Sequence, residues 1–257
     1  MDADLRQSLR AGEPVVGSWV LIGHPTVAEL TAELGFDFVV LDTEHPPYSL
    51  ETLDTMIAGV YAASSEALPI VRVPLEERNR ITRVLNMGAA GIIFPVIETA
   101  DEAEAAVEAV KYPPEGERTI APGRGSRYLL EFEEYVETVN DAITTVAMIE
   151  TERGFKNADD IAAVGGIDAI LIGHEDLSAD LGVFADWEND RLTDAIDHIV
   201  DATSEEETAV GRVTPDPTTI EEQALVGYDY LVSGVDVWHL TESMREARES
   251  FVDTFAR

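Results

Sequence analysis

The sequence predicts an α/β protein folded as one (β/α)8 TIM barrel. Three observations predict it. Eight apolar, β-rich runs recur along the chain. Helical patterns fill most of the intervals between them. The 257 residues match the roughly 250 that eight such units need.

The runs are, in order, "PVVGSWVLI", "FDFVVLD", "LPIVRVP", "AGIIFPVI", "TTVAMIE", "DAILIGH", "TAVGRV" and "YDYLVSG". Most are continuously apolar rather than alternating. A strand buried on both faces reads this way, which is the condition of a parallel sheet covered by helices. The first helical pattern, "TVAELTAELG", opens on a Thr26 cap and closes on Gly35. "SLETLDTMIAGVYAA" opens on a Ser49 cap. "ERNRITRVLNMGA", "TADEAEAAVEAVKY", "KNADDIAAVGG", "ENDRLTDAIDHIVDA" and "PTTIEEQALVG" follow. In the last helix, from about residue 237 to 257, Val237, Leu240, Met244, Ala247, Phe251 and Phe255 keep helical spacing. An open doubly wound sheet would carry a glycine-rich phosphate turn after its first strand, and "LIGHPTVAE" is not one. Residues 112–130, "YPPEGERTIAPGRGSRYLL", form the longest irregular stretch. A loop of this length in a compact domain is functional or an assembly element.

Composition excludes several classes. There is no cysteine, hence no disulfide, thiolate nucleophile or cysteine-held metal. No run approaches the ~20 apolar residues of a membrane span, and the N-terminus shows no basic-then-apolar leader. The expected location is therefore the cytoplasm. The chain carries 51 acids against 17 bases, a formal charge of −34. Such a surface repels nucleic acid and anionic lipid. The acids are spread over helix faces rather than gathered in a tail, the composition of a protein adapted to high salt, where screening acts within a few Å. The only lysines are Lys111 and Lys156, and neither falls on a strand. Carbonyl chemistry by a Schiff-base lysine is thereby excluded, which leaves a metal as electron sink.

In a barrel, the C-terminal ends of the strands converge on one face. The second strand ends in Asp42, Glu44 and His45, followed by Pro46 and Pro47. The third carries Arg72. The fifth ends in Glu150 and the sixth in "GHEDLS", with His174, Glu175 and Asp176. Glu150 and Asp176, from neighbouring strands, suit a hard divalent cation with water completing an octahedron; alternatively they pair with arginine or cap a helix. His45 is either a loop histidine or a general acid/base. A buried Arg72 faces either a structural carboxylate or an anionic ligand. Trp19 is either core or, like Val213 on the seventh strand, a substrate contact.

The blocks "LDTEHPP", "VRVP", "VLNMGAAGIIFP", "KYPPEGER", "MIET" and "LIGHEDLSADLG" resemble, in order, those of the class II pyruvate aldolases of the HpcH/HpaI type, from about residue 14 to 240. These include 4-hydroxy-2-oxoheptanedioate and 2-dehydro-3-deoxyglucarate aldolases. The resemblance implies a barrel of the phosphoenolpyruvate/pyruvate type, assembled as a trimer or hexamer with the last helix exchanged between subunits. It implies a divalent cation (Mg, Mn or Co) on Glu150 and Asp176. Pyruvate would chelate that cation and rest its carboxylate on backbone N–H groups at Glu175 and Asp176. Arg72 would hold the enolate oxygen and His45 would move the proton, with Glu44 orienting water and Asp42 structural. The partner would be an aldehyde, chosen by the 112–130 loop and the pocket mouth.

Three departures stand out. Asn86 replaces the aspartate that pairs with the catalytic histidine in such enzymes, and can orient the ring but not stabilise an imidazolium by charge. His174 and Glu175 replace a proline and an alanine. The stretch after "YPPEGER" differs as well. An acyl-CoA lyase, an oxaloacetate decarboxylase and a non-catalytic barrel that binds metal or oxoacid are the alternatives.

Overall fold

A computed structural model describes residues 5–206, 208–214 and 217–255. Glu207 and the last two residues of the expected C-terminal helix lie outside the described residues. The eight strands are β1 (Val15–Val20), β2 (Phe38–Asp42), β3 (Leu68–Arg72), β4 (Gly91–Phe94), β5 (Thr144–Ile149), β6 (Ala169–Ile172), β7 (Ala209–Thr214) and β8 (Tyr230–Val235). They pair in parallel in chain order, and β8 returns to β1 to close the barrel. Every run read as a strand is one.

The helices are α1 (Leu5–Arg10), α2 (Pro25–Glu33), α3 (Leu50–Ala62), α4 (Arg78–Asn86), α5 (Ala100–Val110), α6 (Phe132–Ala142), α7 (Glu152–Lys156), α8 (Ala158–Ala162), α9 (His174–Asp180), α10 (Asp190–Glu205), α11 (Ile220–Val226) and α12 (Asp236–Phe255). Ser49 caps α3 as expected, its Oγ accepting from Thr52 N at 3.3 Å. The α2 cap is His24 rather than Thr26: Nδ1 of His24 accepts from Thr26 N at 3.2 Å. Pro25 explains the shift, because its fixed φ favours the first helical position, one residue past the cap. The helical pattern read from Lys156 is α8, and the sequence reading left α1, α6 and α7 unassigned.

Strand side chains alternate between two cores. Val39, Leu41, Val71, Ile92, Phe94, Ile149, Ile170 and Ile172 pack outward against the helices. Val40, Ile70, Ile93, Met148, Leu171 and Val232 fill the barrel. Both sets are buried, which is why the runs show no polar alternation. The inward register continues beyond the apolar layers. Two residues past Val40, Ile70 and Met148 come Asp42, Arg72 and Glu150, all buried.

At the N-terminal end of the barrel, α1 closes the floor. Leu5 and Leu9 are buried against the interior cluster. Arg6 Nε and Arg10 Nη2 each reach Asp168 Oδ1 at 2.8 Å, and Thr145 N donates to Asp168 Oδ2 at 3.0 Å.

The 112–130 loop follows α5 and precedes β5, so it emerges at this same floor end, opposite the strand C-termini. Within the chain it packs on the end of α4. Arg118, buried, lies 4.4 Å over the Tyr112 ring and donates from Nη2 to Asn86 Oδ1 and Tyr135 Oη, both at 3.1 Å. Within one chain the loop therefore does not reach the pocket mouth with which it was expected to choose the aldehyde. A helix that follows a strand runs back to the other face, and the loop after it stays there.

Candidate active site

At the strand C-termini a cleft of about 460 Å³ opens between β2, β3, β5 and α9. It brings together Glu44, His45, Arg72, Glu150 and Asp176. A second cleft of about 490 Å³ lies at the floor; its charged lining groups are Glu13, Asp37 and Glu66. It has no counterpart of the guanidinium–carboxylate array.

Arg72 is the fixed point of the upper cleft. It ends β3 in direct register with Asp42 at the end of β2. Asp42 is fully buried and accepts from Arg72 Nε at 2.9 Å and Nη2 at 2.6 Å. Glu44 Oε2 takes Nη1 at 2.8 Å. Burial works against the guanidinium's charge, but the bonds and charges of Asp42, then Glu44 and Glu150, outweigh it and hold Arg72 above its ordinary range. The Trp19 ring lies 4.9 Å from the guanidinium. Trp19 is thus buried as the platform under Arg72, and it is not among the residues lining the cleft. Val213 likewise packs against the barrel interior and does not line the cleft. Asp42 is structural, as the sequence suggested: it orients Arg72. Its backbone carbonyl takes the Tyr48 hydroxyl, which secures the turn after Pro47.

The ring of His45 stands at the cleft mouth, two-thirds exposed, with Nε2 at 4.0 Å from Glu44 Oε2. Glu44 therefore lies between Arg72 and His45. Asn86 does not meet His45 within one chain. It is the last residue of α4, at the floor end, and its Oδ1 is engaged by Arg118. The expected His45–Asn86 pair does not form within one chain, for the same topological reason as the loop.

Glu150 follows β5 and is 5% exposed. Its Oε1 accepts from the backbone N–H of Val96 at 2.8 Å. Burial pushes its carboxyl up to about 7, with Asp176 and Glu44 adding repulsion; the Val96 bond and Arg72 act the other way. Gly173 makes room for it: a Cβ there would lie 2.7 Å from both Cβ and Oε2 of Glu150. Sequence reading missed Gly173 and Val96. The glycine of "LIGH" was visible, but its neighbour at the end of the adjacent strand was not. Val96 acts through its backbone, and its φ of 53° is a conformation no residue letter announces.

Asp176 lies in the first turn of α9, which starts at His174 behind Gly173, so it is not the helix cap. Glu175 and Asp176 are both exposed, and first-turn N–H groups have no intrahelical acceptor. His174 is buried. Its Nδ1 contacts Ile172 O at 3.1 Å and its Nε2 contacts Tyr228 Oη at 2.9 Å. Burial, then the charge of Arg212, pushes it down to about 3, so it is a neutral structural ring. Asp236 accepts from Leu21 N and Ile22 N at 3.0 and 2.8 Å, tying the end of β1 to the start of α12.

Among the described residues no group of three or more histidines and acids could hold a metal. Two carboxylates remain, Glu150 and Asp176, and they fit a divalent cation. Their charges repel one another across the cleft, and Glu150 Oε2 takes no hydrogen bond from the described residues. A cation between them would relieve both conditions, with water completing its shell.

Residues 16–243 match the family described as HpcH/HpaI aldolase/citrate lyase. The chain is 32% identical to a hydroxypyruvate/pyruvate aldolase of Paraburkholderia phytofirmans, over 95% of each chain. It is 31% identical to a 5-keto-4-deoxy-D-glucarate aldolase of Shigella dysenteriae, covering 98% of this chain and 96% of the relative. A crystal structure of a family protein from Burkholderia cenocepacia superposes with a TM-score of 0.92 at 30% identity, covering 97% of this chain and 99% of the other.

Proposed function

We propose, from the premise that this chain belongs to the HpcH/HpaI aldolase/citrate lyase family, that it is a metal-dependent aldolase. It cleaves a 4-hydroxy-2-oxo acid to pyruvate and an aldehyde, and runs in reverse as an aldol addition. The observation that carries this reading is Arg72, buried and clamped by Asp42, lining one cleft with Glu150, Asp176 and His45.

Bound between Glu150 and Asp176, a divalent cation such as Mg, Mn or Co supplies Lewis acidity toward the carbonyl of a 2-oxo acid. The rest falls to the protein. Arg72 uses one N–H each on Nε, Nη1 and Nη2 for Asp42 and Glu44. A guanidinium has five N–H groups, so two remain for the oxygen on which negative charge develops. Trp19 and Asp42 keep that fork from rotating, so its stabilisation needs no rearrangement during reaction. His45, at the mouth, gives or takes the proton of the aldol hydroxyl. The first turn of α9 offers N–H groups to the oxoacid carboxylate. The relatives' names support pyruvate or hydroxypyruvate as the donor.

Assembly belongs to the same proposal. The exposed Val237, Trp238, Leu240, Met244, Phe251 and Phe255 of α12 form an apolar face suited to exchange between subunits of a trimer or hexamer. The acidic composition fits a salt-rich cytoplasm.

The test is metal-dependent deuterium uptake at C3 of pyruvate, measured beside aldol cleavage. The parent protein is expected to do both and to lose both with chelator. His45→Ala is expected to lose cleavage by roughly 10²–10⁴-fold while still binding metal and pyruvate. Exchange and cleavage at the parent rate in His45→Ala, or in a chelator-treated Glu150→Ala protein, would refute the assignment.

A further inference from the structure

Arg118 is 2% exposed, and no carboxylate of the described residues pairs with it. The chain has 51 acids for 17 bases, so carboxylates are not scarce. Arg72, buried to a similar degree, has Asp42 at 2.6 Å. Both acceptors of Arg118, Asn86 Oδ1 and Tyr135 Oη, are neutral, and both are taken by Nη2. Of the five guanidinium N–H groups, the three on Nε and Nη1 have no partner and no access to solvent. The Tyr112 hydroxyl is a further buried donor without a partner. It belongs to the same place: the guanidinium lies 4.4 Å from the Tyr112 ring and 5.9 Å from that of Tyr135. The rings attract the charge but neutralise none of it. A buried charge with no counter-charge is among the costliest arrangements a fold can hold.

We propose that Arg118 Nε and Nη1, with the Tyr112 hydroxyl, hold one chloride ion, which neutralises the guanidinium in place of a side chain. The frame around these donors is fixed. Arg118 N donates to Lys111 O at 2.9 Å, and Tyr112 N donates to Asn140 Oδ1 at 2.7 Å. The loop lies hard against its neighbours: a Cβ at Gly123 would stand 2.2 Å from Asn86 O, and one at Gly125 would stand 2.9 Å from Tyr135 Oη. A carboxylate or phosphate group needs more room than such walls leave. A monatomic anion accepts from all the donors and needs no orientation. The net charge of −34 repels anions, so filling the site calls for concentrated chloride, the condition to which the composition points. Within one chain the site lies at the floor end, away from the acidic cleft, and the proposal does not depend on the aldolase reading.

Screening depends on ionic strength, whereas a site depends on the ion, and one experiment separates them. Urea unfolding of the full-length protein is followed at fixed protein concentration in multimolar potassium salt. Chloride replaces gluconate stepwise, so the ionic strength stays constant, and gluconate is too bulky for the site. The unfolding constant is expected to fall about tenfold across the exchange, the mass-action effect of a ligand that reaches roughly ten times its dissociation constant. Tyr112→Phe removes one donor. It should be no less stable than the parent in gluconate, and should cut the chloride effect several-fold. Asn86→Asp sets a carboxylate against Arg118 Nη2. It should be more stable than the parent in gluconate and nearly indifferent to chloride. An unfolding constant that ignores the exchange overturns the proposal; a counter-charge lent by a second copy of the chain would give this result. A chloride effect that keeps its parent size in both variants overturns it as well, because the ion then binds elsewhere.

Discussion

Val96 donates its backbone N–H to Glu150 Oε1 at 2.8 Å from a left-handed conformation with φ at 53°. A β-branched side chain seldom holds such a backbone, and the strain costs on the order of 1–3 kcal/mol. Val96→Gly keeps the N–H and removes the strain, against a glycine entropy cost of roughly 0.5–1 kcal/mol. The variant is expected to be as stable as the parent or slightly more so, by urea denaturation. A loss beyond about 1 kcal/mol would show that the valine side chain, not the turn, holds this segment.

Glu150 sets a pH dependence with a defined sign. Its folded-state value, about 7, lies above the ordinary 4.5, because burial and Asp176 disfavour the anion. Between these values the folded protein holds more protons than the unfolded chain. Metal-free protein should therefore lose stability as pH rises from about 4.5 through 7, and gain it as pH falls through the same window. A metal competes with that proton, so its affinity should rise about tenfold per unit below pH 7 and level off above. Glu150→Gln should flatten the stability profile. An unchanged profile in that variant would move the titration elsewhere.

Gly173→Ala puts a Cβ 2.7 Å from Glu150 Oε2 and 2.8 Å from Met148 Cε. Glu150 must move, and displacement of a supporting group of this kind typically lowers metal affinity or turnover by about 10–100-fold. Circular dichroism is expected to show the barrel intact. Parent-level metal binding would mean that the carboxylate has freedom the packing denies.

Removing Asp42 strands a buried cation. Asp42→Ala is expected to destabilise the protein by about 3–5 kcal/mol, the usual cost of breaking a buried pair from one side. Glu44→Gln, which leaves Asp42 in place on a partly exposed neighbour, should cost far less. Equal losses in the two variants would contradict the assignment of Asp42 as the clamp.

A formal charge of −34 should make stability salt-dependent. Screening lengths shrink from about 10 Å at 0.1 M salt to a few Å at molar salt. The thermal midpoint is therefore expected to climb between dilute and multimolar KCl. A flat response would separate the acidic composition from any benefit in salt.

The barrel was legible because its physics is periodic. Buried parallel strands read as unbroken apolar runs, and the residues two positions beyond the last core layer, Asp42, Arg72 and Glu150, inherit the inward direction. What escaped is what periodicity does not encode. The placing of Glu150 depends on a backbone N–H at Val96 and on a missing Cβ at Gly173, and neither has a signature in one sequence. The helix α6 was written in Tyr135, Val136 and Val139, three partly or fully buried residues in a strongly acidic segment. The position of Asn86 could have been read: a strand-to-helix unit reverses direction, so the last residue of α4 cannot reach the end of β2 in its own chain.

Arg6 and Arg10 lie 162 and 158 residues before Asp168, the carboxylate on which both converge. A chain made from its N-terminus must therefore produce α1 and then wait while five of the eight strands emerge. At about 5–20 residues per second that interval is roughly 8–30 s. Throughout it, Leu5 and Leu9 have no barrel interior to enter. The base of the barrel is written first and shut late, so the opening segment of this protein spends its early life waiting for a binding partner that its own ribosome has yet to make.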